Sequence, residues 1–547
     1  MAGSMTRPEA TELDALVIGA GFSGMYQLIC LRDRLGLKVR VLEAADGVGG
    51  TWYWNRYPGA RCDSESHSYC YGFSPELLEQ WEWSERYPEQ PEILRYLNHV
   101  ADRFDLRRDI SFNTRVIGAE YDAAANRWVV RTEGGETFRA QYLITAVGCL
   151  SSANVPKIPG LEGFQGQWVH TGLWPHEGVD FAGKRVGQIG TGSTGIQAVP
   201  VIAGQVANKP GGHLTVFQRT ANYSIPARNG PLSDEFKQYV KAHHAEIRRV
   251  MHSTPNGHPF VISSRKVAES TPEERQRIYE EGWAKGGLQF RAAYQDLLVD
   301  EAANATAAAF IKAKIRDVVK DPATAAMLAD IDHPFAAKRP PIDSEYFEAF
   351  NRDDVSLVDV RADPVAEITP TGLRLESGRG FDLDIIVFAT GFDAMTGPLL
   401  RMDITGRGGV KLADMWAAGP RTYLGLQVAG FPNLFTMTGP GSPSVLCNMP
   451  VAIEQHAEWI ADCIAHMRRK GVQAIETTEE AMEGWGAHVN EVANATLLPK
   501  ATHSWYLGAN VPGKPRVFMP YAGGMVRYRE TCAEVAANGY AGFVLSA

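Results

Sequence analysis

The chain has 547 residues, more than the roughly 250 to 300 at which a single core stops growing, so we expect several domains. Its composition, with 45% hydrophobic and 21% charged residues, is that of a globular protein and excludes extensive disorder. The formal net charge of -9 disfavours nucleic acid and anionic membranes as partners.

The sequence shows neither a targeting segment nor a redox-active cysteine pair. No apolar run reaches the roughly 18 residues that a membrane helix needs, and residues 1–14 lack the apolar core of a signal peptide. We therefore expect a cytoplasmic protein without membrane contact, working as a monomer or a weak homodimer. The 7 cysteines are scattered without a CxxC pair, so we expect neither a metal site nor the redox disulfide of a disulfide reductase.

The first predicted element is a buried strand that ends in the glycine turn Gly19-x-Gly21-x-x-Gly24 and opens a helix. The glycines allow the backbone to approach a pyrophosphate, and the helix N-terminus adds partial positive charge. A second strand ends at Glu43, where a carboxylate accepts ribose hydroxyls and repels a 2′-phosphate. This unit predicts a site for FAD or NAD. The two strands are expected at residues 15–18 and 39–42.

A second unit of the same kind follows, with the turn Gly190-x-Gly192-x-x-Gly195. Its second strand leads to Arg219, where the first unit has an acid. A guanidinium can grip a 2′-phosphate through two hydrogen bonds, so this unit predicts an NADPH site. The alternative for Arg219 is a solvated charge at a strand end. The strands are expected at residues 186–189 and 214–217.

The rest of the chain completes this architecture. Residues 226–337 have helical periodicity with acidic first turns, and strand patterns return at 355–360 and 383–389. We predict an α/β fold with two Rossmann-like dinucleotide-binding domains, for FAD and NADP, and a helical insertion in the NADP domain. The predicted parts are 12–150 (FAD domain), 151–222 (NADP domain), 223–335 (insertion), 336–389 (NADP domain, second part) and 390–547 (FAD domain, C-terminal part).

Three further runs carry a family resemblance. Residues 164–175 read FQGQWVHTGLWP, residues 49–63 read GGTWYWNRYPGARCD, and residues 384–392 read DIIVFATGF. Every fixed position resembles the fingerprints of Baeyer–Villiger monooxygenases of the type I flavoprotein class, with most similarity to the phenylacetone and steroid monooxygenases among them. The ending at 505–514, WYLGANVPGK, is also similar to this family. The resemblance thus spans nearly the whole chain.

The resemblance implies a mechanism. NADPH reduces FAD, the reduced flavin adds O2 to give a C4a-peroxyflavin, and this attacks a ketone to form a tetrahedral adduct that collapses to an ester or lactone. The peroxide must stay anionic, and the resemblance assigns its stabilising cation to Arg339, oriented by Asp63. An arginine suits this role because it stays protonated and offers several N–H donors. An aromatic, cyclic or steroid-like ketone is the expected substrate.

The resemblance also assigns contacts to the cofactors and the substrate. Lys338 is expected to join Arg219 at the NADPH phosphate, and Trp505 to close over the nicotinamide nucleotide. His170 and Trp174 are expected to couple the domains, with direct proton transfer as the alternative role of His170. The further expected cofactor contacts are Ser23, Thr51, Trp52, Trp54, Asp63, Tyr69, Val116, Thr191, Ser193, Thr194, Thr220 and Met449. The expected substrate contacts are Ser442, Val445, Leu446 and Met449.

Simple packing is the alternative for the aromatic residues and for the loop at 442–446. Two other functions compete with ketone oxidation. One is an N- or S-oxidising flavin monooxygenase, which His170, Trp174-Pro175 and Arg339 disfavour. The other is a non-catalytic flavoprotein that senses NADPH or docks a partner. The presence of Asp63, Arg339, Arg219 and Lys338 disfavours it.

Overall fold

Two large sheets organise the computed structural model, which describes residues 10–547. Residues 1–9, and with them most of the segment on which the signal-peptide argument rests, lie outside this range. Within it, no helix combines the length and apolar character that crossing a bilayer demands. We call the sheet that contains the first glycine turn, with its helices, the front lobe, and the second sheet with its helices the rear lobe.

The front lobe begins with the predicted strand, helix and strand. Strand β1 (Thr11–Ile18) lies between β2 (Val39–Leu42) and β6 (Thr137–Thr145) and runs parallel to both. Ala15 lies opposite Val39 and Tyr142. Its second half is fully buried, as expected for an apolar strand covered on both faces. The elements are β1 (Thr11–Ile18), α1 (Phe22–Ile29, continued by a π-helical turn at Cys30–Arg34), β2 (Val39–Leu42), α2 (Thr51–Trp54), α3 (Pro75–Gln80), α4 (Gln90–Arg103), β3 (Ile110–Ser111), β4 (Val116–Asp122), β5 (Arg127–Thr132) and β6 (Thr137–Thr145).

The rear lobe starts with β7 and repeats the pattern. Its first elements are β7 (Gln167–His170), β8 (Arg185–Ile189), α5 (Ser193–Val206) and β9 (His213–Gln218), so both predicted strands of the second unit are confirmed.

The helical insertion follows, and side-chain caps explain where its helices begin. Ser233, Thr271, Asp300 and Asp321 each accept a hydrogen bond from a backbone amide of the first turn. A short parallel pair that matches Ile225 with Ile342 closes the insertion at its base. The helical character that the sequence predicted for residues 226–337 is present in four helices, whose individual bounds the sequence analysis did not give. The elements are β10 (Ile225–Pro226), α6 (Asp234–Ser253), α7 (Pro272–Lys285), α8 (Glu301–Val318), α9 (Pro322–Ala329), β11 (Ile342–Asp343) and α10 (Tyr346–Ala349).

The chain then returns to the rear sheet. Its elements here are β12 (Val355–Asp359), β13 (Val365–Thr369), β14 (Gly372–Leu375), β15 (Gly380–Asp382) and β16 (Ile385–Phe388). The rear sheet is parallel throughout, in the order β12-β9-β8-β16-β7. Strands β13 to β15 form a small antiparallel sheet that the sequence analysis did not predict.

The C-terminal part completes the front lobe. Strands β17 (Asp403–Thr405) and β18 (Leu434–Thr436) add parallel partners to β4 and β6. Helix α13 (Met449–Lys470) packs against α1. The predicted return of the chain to its first sheet is thereby confirmed. The elements are α11 (Gly397–Leu400), β17 (Asp403–Thr405), α12 (Leu412–Met415), β18 (Leu434–Thr436), α13 (Met449–Lys470), β19 (Ala474–Thr477), α14 (Glu479–Asn494), α15 (Met525–Ala537) and β20 (Phe543–Ser546).

Candidate active site

The glycine turn of the front lobe leaves no room for side chains. A Cβ atom on Gly24 would lie 1.7 Å from the carbonyl oxygen of Gly19, and Gly19 itself has φ +102°. Gly21 faces Gly50, which lies in the motif at residues 49–63, since a Cβ atom on Gly21 would lie 3.3 Å from the Cα of Gly50. The two motifs therefore form one backbone surface, which fits the close approach of an FAD pyrophosphate.

Glu43 lies at the end of β2 beside this turn and is 5% exposed. Its carboxylate accepts hydrogen bonds from the backbone amides of Ala20 at 2.7 Å and Ala45 at 2.8 Å. Burial raises the pKa of Glu43, while these amide bonds oppose the rise. Each carboxylate oxygen keeps a second lone pair, so the residue fits the ribose hydroxyls of an adenosine.

Two aromatic residues of the front lobe, Trp52 and Tyr69, lie next to each other. The indole nitrogen of Trp52 donates to the hydroxyl of Tyr69 at 3.2 Å, and the two rings meet edge to face at 5.8 Å. Burial raises the pKa of Tyr69 well above its ordinary range, so this phenol stays neutral. Trp54 is half-buried and Thr51 exposed, whereas Ser23 and Val116 are buried in the same lobe.

In the rear lobe the second glycine turn has the same construction. A Cβ atom on Gly195 would lie 2.3 Å from the carbonyl oxygen of Gly190, whereas one on Gly192 would meet nothing within 4 Å. Gly192 is the N-cap of α5, which Ser193 and Thr194 begin. The Thr191 hydroxyl donates to the carbonyl of Thr220 at 2.8 Å and so ties the turn to the end of β9. The open helix N-terminus fits a second pyrophosphate.

Two cations lie beside this second turn. Arg219 is exposed, Lys338 is half-buried, and neither forms an ion pair anywhere in residues 10–547. Burial lowers the pKa of Lys338; the charge of Asp332 opposes this shift and the charge of Arg219 adds to it. Two neighbouring cations without a carboxylate partner fit a doubly charged 2′-phosphate.

Arg339 and Asp63 form the central ion pair. The guanidinium donates to both carboxylate oxygens, from Nε at 2.5 Å and from Nη2 at 2.8 Å. The side chains are 21% and 28% exposed, so neither is sealed off completely. Burial disfavours the charge on Arg339, but the charge of Asp63 and the hydrogen bonds to it outweigh that effect and raise the pKa of Arg339. The arginine is therefore held as a cation.

Two more contacts fix the position of Arg339. Its Nη1 donates to the carbonyl oxygen of Val445 at 2.9 Å, and its backbone amide donates to the Tyr506 hydroxyl at 3.1 Å. Val445 has φ +62°, a strained conformation for a β-branched residue. The guanidinium still carries N–H donors that these bonds leave free.

The predicted substrate loop contacts this centre through Val445. Val445, Leu446, Met449 and Trp505 belong to one apolar cluster. The sulfur of Met449 accepts from the amide of Val445 at 3.3 Å, and Met449 begins α13. Ser442 is fully buried and donates within its own turn to the carbonyl of Gly439 at 2.7 Å. Its side chain therefore shapes the loop.

His170 and Trp174 lie in the rear lobe. His170 ends β7 and is 1% exposed; burial lowers its pKa to about 4, and its Nδ1 accepts from the amide of Gly172 at 3.0 Å. Trp174 packs in the core cluster that also contains Tyr57 of the YPG run. The Tyr57 hydroxyl donates to the side chain of Gln197 on α5 at 2.7 Å, which joins the two lobes. A neutral, buried histidine here suits a structural role.

Three residues near Arg339 were not predicted. Tyr506 is fully buried. Only its position next to Trp505, in the motif at residues 505–514, could have indicated that it lies at the site. Arg291 lies on the 3-10 turn Gly287–Ala293 of the insertion. Burial lowers the pKa of His258 well below its ordinary value, and the charges of Arg339 and Arg291 add to this shift. Neither Arg291 nor His258 belongs to a recognisable motif, so only the fold brings them to the site.

The chain is similar to known flavin-dependent monooxygenases over nearly its whole length. The family model described as "Flavin-binding monooxygenase-like" matches residues 14–211. A Baeyer–Villiger monooxygenase of Pseudooceanicola batsensis is 46% identical over 98% of this chain and 97% of its own. The chain belongs to the Baeyer–Villiger monooxygenase family. The predicted α/β fold, the enzyme class and the cofactors FAD and NADPH are thereby confirmed.

Two other relatives show the range of this monooxygenase family. A solved structure of oxidised steroid monooxygenase bound to NADP superposes with a TM-score of 0.92 at 53% identity, covering 98% of this chain and all of that one. A phenazine N-monooxygenase of Lysobacter antibioticus is 44% identical over 98% of both chains. Heteroatom oxidation therefore occurs within the same sequence range as ketone oxidation.

Proposed function

We propose that this monooxygenase converts ketones to esters or lactones at a centre formed by Arg339, Asp63 and the carbonyl of Val445. The observation that carries the proposal is the fixed orientation of the guanidinium. Three hydrogen bonds hold it to an acid of the front lobe and a carbonyl of the substrate loop, and N–H donors remain free.

In this proposal Arg339 stabilises negative charge. When bound, NADPH supplies the hydride and FAD, once reduced, activates O2. The free N–H groups of Arg339 donate to the ketone oxygen as it gains negative charge, and Asp63 keeps them aimed without reorganisation during the reaction. Asp63 supplies the countercharge that holds the guanidinium in this orientation.

The apolar walls set the substrate class. Val445, Leu446 and Met449 offer aliphatic and thioether surface next to the cation, and no carboxylate other than Asp63 pairs with Arg339 in residues 10–547. A ketone with an apolar ring or chain fits this combination. The similarity to a steroid monooxygenase supports bulky ketones among the substrates.

The remaining residues serve binding and coupling. Glu43 and the first glycine turn hold the FAD adenosine, and Arg219 with Lys338 holds the 2′-phosphate of NADPH. His170 and Trp174 couple the lobes. We propose that the domain limits follow the two sheets, with residues 12–150 and 390–547 in the FAD domain, and 151–222 and 336–389 in the NADP domain around the insertion at 223–335.

A substrate panel tests this function. The purified, FAD-loaded enzyme would be given NADPH, air and a set of cyclic, linear, aromatic and steroidal ketones. We expect products that gain one oxygen atom by mass, with at least one ketone oxidised in proportion to the NADPH consumed. NADPH consumption that yields only hydrogen peroxide with every ketone would refute the proposal.

Heteroatom oxidation is the second candidate, because the phenazine N-monooxygenase is as similar as several ketone oxidisers. Adding a planar aromatic N-heterocycle and an aryl sulfide to the panel separates the two functions. An N-oxide formed with a higher kcat/KM than any ester would make nitrogen oxidation the main activity.

A further inference from the structure

A second arginine lies close to the ketone centre. Arg291 belongs to the 3-10 turn Gly287–Ala293 of the insertion and is half-buried. Its neighbour Phe290 is fully buried and packs edge to face against Phe335 at 5.6 Å, on the segment that leads to Arg339. The turn is therefore attached to the part of the chain that carries the proposed catalytic cation.

Hydrogen bonds join the same turn to the start of α13. The backbone amide of Ser263 donates to the carbonyl oxygen of Ala292 at 2.9 Å. The segment that leads to Ser263 in turn contacts α13, since the backbone amide of Asn448, the N-cap of this helix, donates to the carbonyl oxygen of Asn256 at 2.8 Å. The insertion thus links the turn both to the segment of the catalytic cation and to the end of the predicted substrate loop.

No acid balances the charge of Arg291. Within residues 10–547 it forms no ion pair, and its guanidinium donates no hydrogen bond. Its nitrogen atoms lack partners but are not fully buried, so they border open space. Burial lowers the pKa of Arg291, Tyr506 opposes this shift and the charge of Arg339 adds to it, and no carboxylate contributes. An arginine stays protonated under these conditions, so the charge remains.

The ketone centre therefore carries one positive charge in excess. Asp63 neutralises Arg339 through their paired hydrogen bonds. The neighbouring titratable groups are neutral, because burial raises the pKa of Tyr506 to about 12 and lowers the pKa of His258 well below its ordinary value. Among the described residues of this group, Arg291 alone lacks a countercharge. An unpaired cation in a desolvated position is costly, so an anion that pairs with it gains strongly.

This charge is separate from the cations assigned to the NADPH phosphate. Burial lowers the pKa of both Lys338 and Arg291. The charge of Arg219 adds to the shift of Lys338, whereas the charge of Arg339 adds to that of Arg291. The four cations thus form two pairs, one at the proposed phosphate site and one at the ketone centre. The phosphate of NADPH therefore does not supply the missing countercharge.

We propose that the ketone pocket favours substrates that also carry a carboxylate, and that Arg291 selects them. This inference rests on the proposed oxidation of ketones at Arg339. The ketone oxygen accepts hydrogen bonds from Arg339 while the carboxylate of the same molecule pairs with Arg291, and the carbon skeleton between them packs against the apolar walls of the pocket. Oxidation inserts one oxygen atom next to the carbonyl and leaves the carboxylate unchanged. The substrate class is therefore an oxo acid whose two polar groups lie at opposite ends.

Matched acids and amides test this selection. The FAD-loaded enzyme would be given NADPH, air and either 4-oxocyclohexanecarboxylate or its neutral amide, with levulinate and its amide as a linear pair. We expect kcat/KM for at least one acid to exceed that of its amide by about tenfold or more. If no member of either pair and no ketone of the panel gains an oxygen atom, the proposed function itself fails. Amides oxidised as well as their acids would overturn the selection by charge and leave ketone oxidation standing.

Variants assign the preference to Arg291. Arg291→Gln should lower kcat/KM for the acid about tenfold more than kcat/KM for the amide. Arg277→Gln removes the same charge from α7, at a side chain that is 62% exposed, and should leave the ratio of acid to amide unchanged because solvent and salt screen this charge. If Arg291→Gln does not fold, Arg291→Met, which has similar length and no charge, takes its place.

Two results would give Arg291 another role. An equal loss for acid and amide in the uncharged variant would mean that Arg291 acts in the reaction itself. A rise in KM for NADPH that accounts for the loss would mean that Arg291 binds the cofactor. Either result overturns the proposal, as does an acid that is no better a substrate than its amide in the parent enzyme.

Discussion

The hydroxyl of Tyr506 accepts a hydrogen bond from the backbone amide of Arg339 at 3.1 Å. Asp63 holds the side chain of the same arginine from the front lobe. The proposed catalytic cation is therefore fixed at its backbone by the C-terminal segment and at its guanidinium by the N-terminal part of the chain. Two segments far apart in sequence must fold together before the site exists.

Replacing Tyr506 by Phe tests the backbone contact. The change leaves the buried amide of Arg339 without an acceptor, which costs about 1 to 3 kcal/mol. We expect a lower kcat for ester formation with an unchanged rate of flavin reduction by NADPH, measured by stopped flow. Tyr294→Phe is the matched control, since this buried tyrosine donates to Ser270 within the insertion. Equal effects of both variants would deny Tyr506 a positioning role.

Arg339→Ala separates reduction of the cofactor from oxidation of the ketone. NADPH should still bleach the flavin, because hydride transfer does not use this cation, while ester output falls by about 100-fold or more. Arg339→Lys keeps the charge but loses the paired donors to Asp63, so partial activity is expected at best. Normal ester output from the alanine variant would remove Arg339 from the reaction.

The sequence predicted the parts of this enzyme that depend on local pattern. Gly19 and Gly190 indicate their turns because no residue with a Cβ atom fits at either position. The positions of Glu43 and Arg219 could be predicted because each follows the second strand of its unit. The sequence analysis identified Arg339 and Asp63 as site residues only through the family resemblance. Arg291 and Tyr506 lie beside Arg339 through tertiary packing, and no local pattern encodes that placement. The same reason hid the small sheet β13–β15.

Arg219→Ala tests selection of the phosphorylated cofactor. Arg219 has no ion pair in the described residues, so its removal should leave the fold intact. We expect KM for NADPH to rise about tenfold or more while KM for NADH changes little, because only NADPH carries the 2′-phosphate. Lys338→Ala should act in the same direction. Arg379→Ala, at a cation of the small β13–β15 sheet, is the control; an unchanged ratio of the two KM values in Arg219→Ala would disprove the phosphate contact.

The stability of the base of the insertion should depend on pH through Asp343. This residue ends β11, is 7% exposed, and burial raises its pKa from an ordinary value of 3.8 to about 6. Between these values the folded protein keeps a proton that the unfolded chain has lost, so the free energy of unfolding falls as pH rises from about 4 to 6. Above this window the full cost is present, on the order of 3 kcal/mol at most.

Asp343→Asn mimics the protonated form and should remove this cost. The Ser224 hydroxyl, which now donates to Asp343, also lies 3.2 Å from the carbonyl of Pro341 and can donate there instead, accepting from the new amide. We expect the variant to melt a few degrees above the parent at pH 8 and to equal it at pH 4, followed by flavin fluorescence. Asp353→Asn, at an exposed acid of the same lobe, should leave the difference between the two pH values unchanged. An Asp343→Asn protein that is less stable than the parent at pH 8 would mean that the carboxylate is stabilised in its charged form.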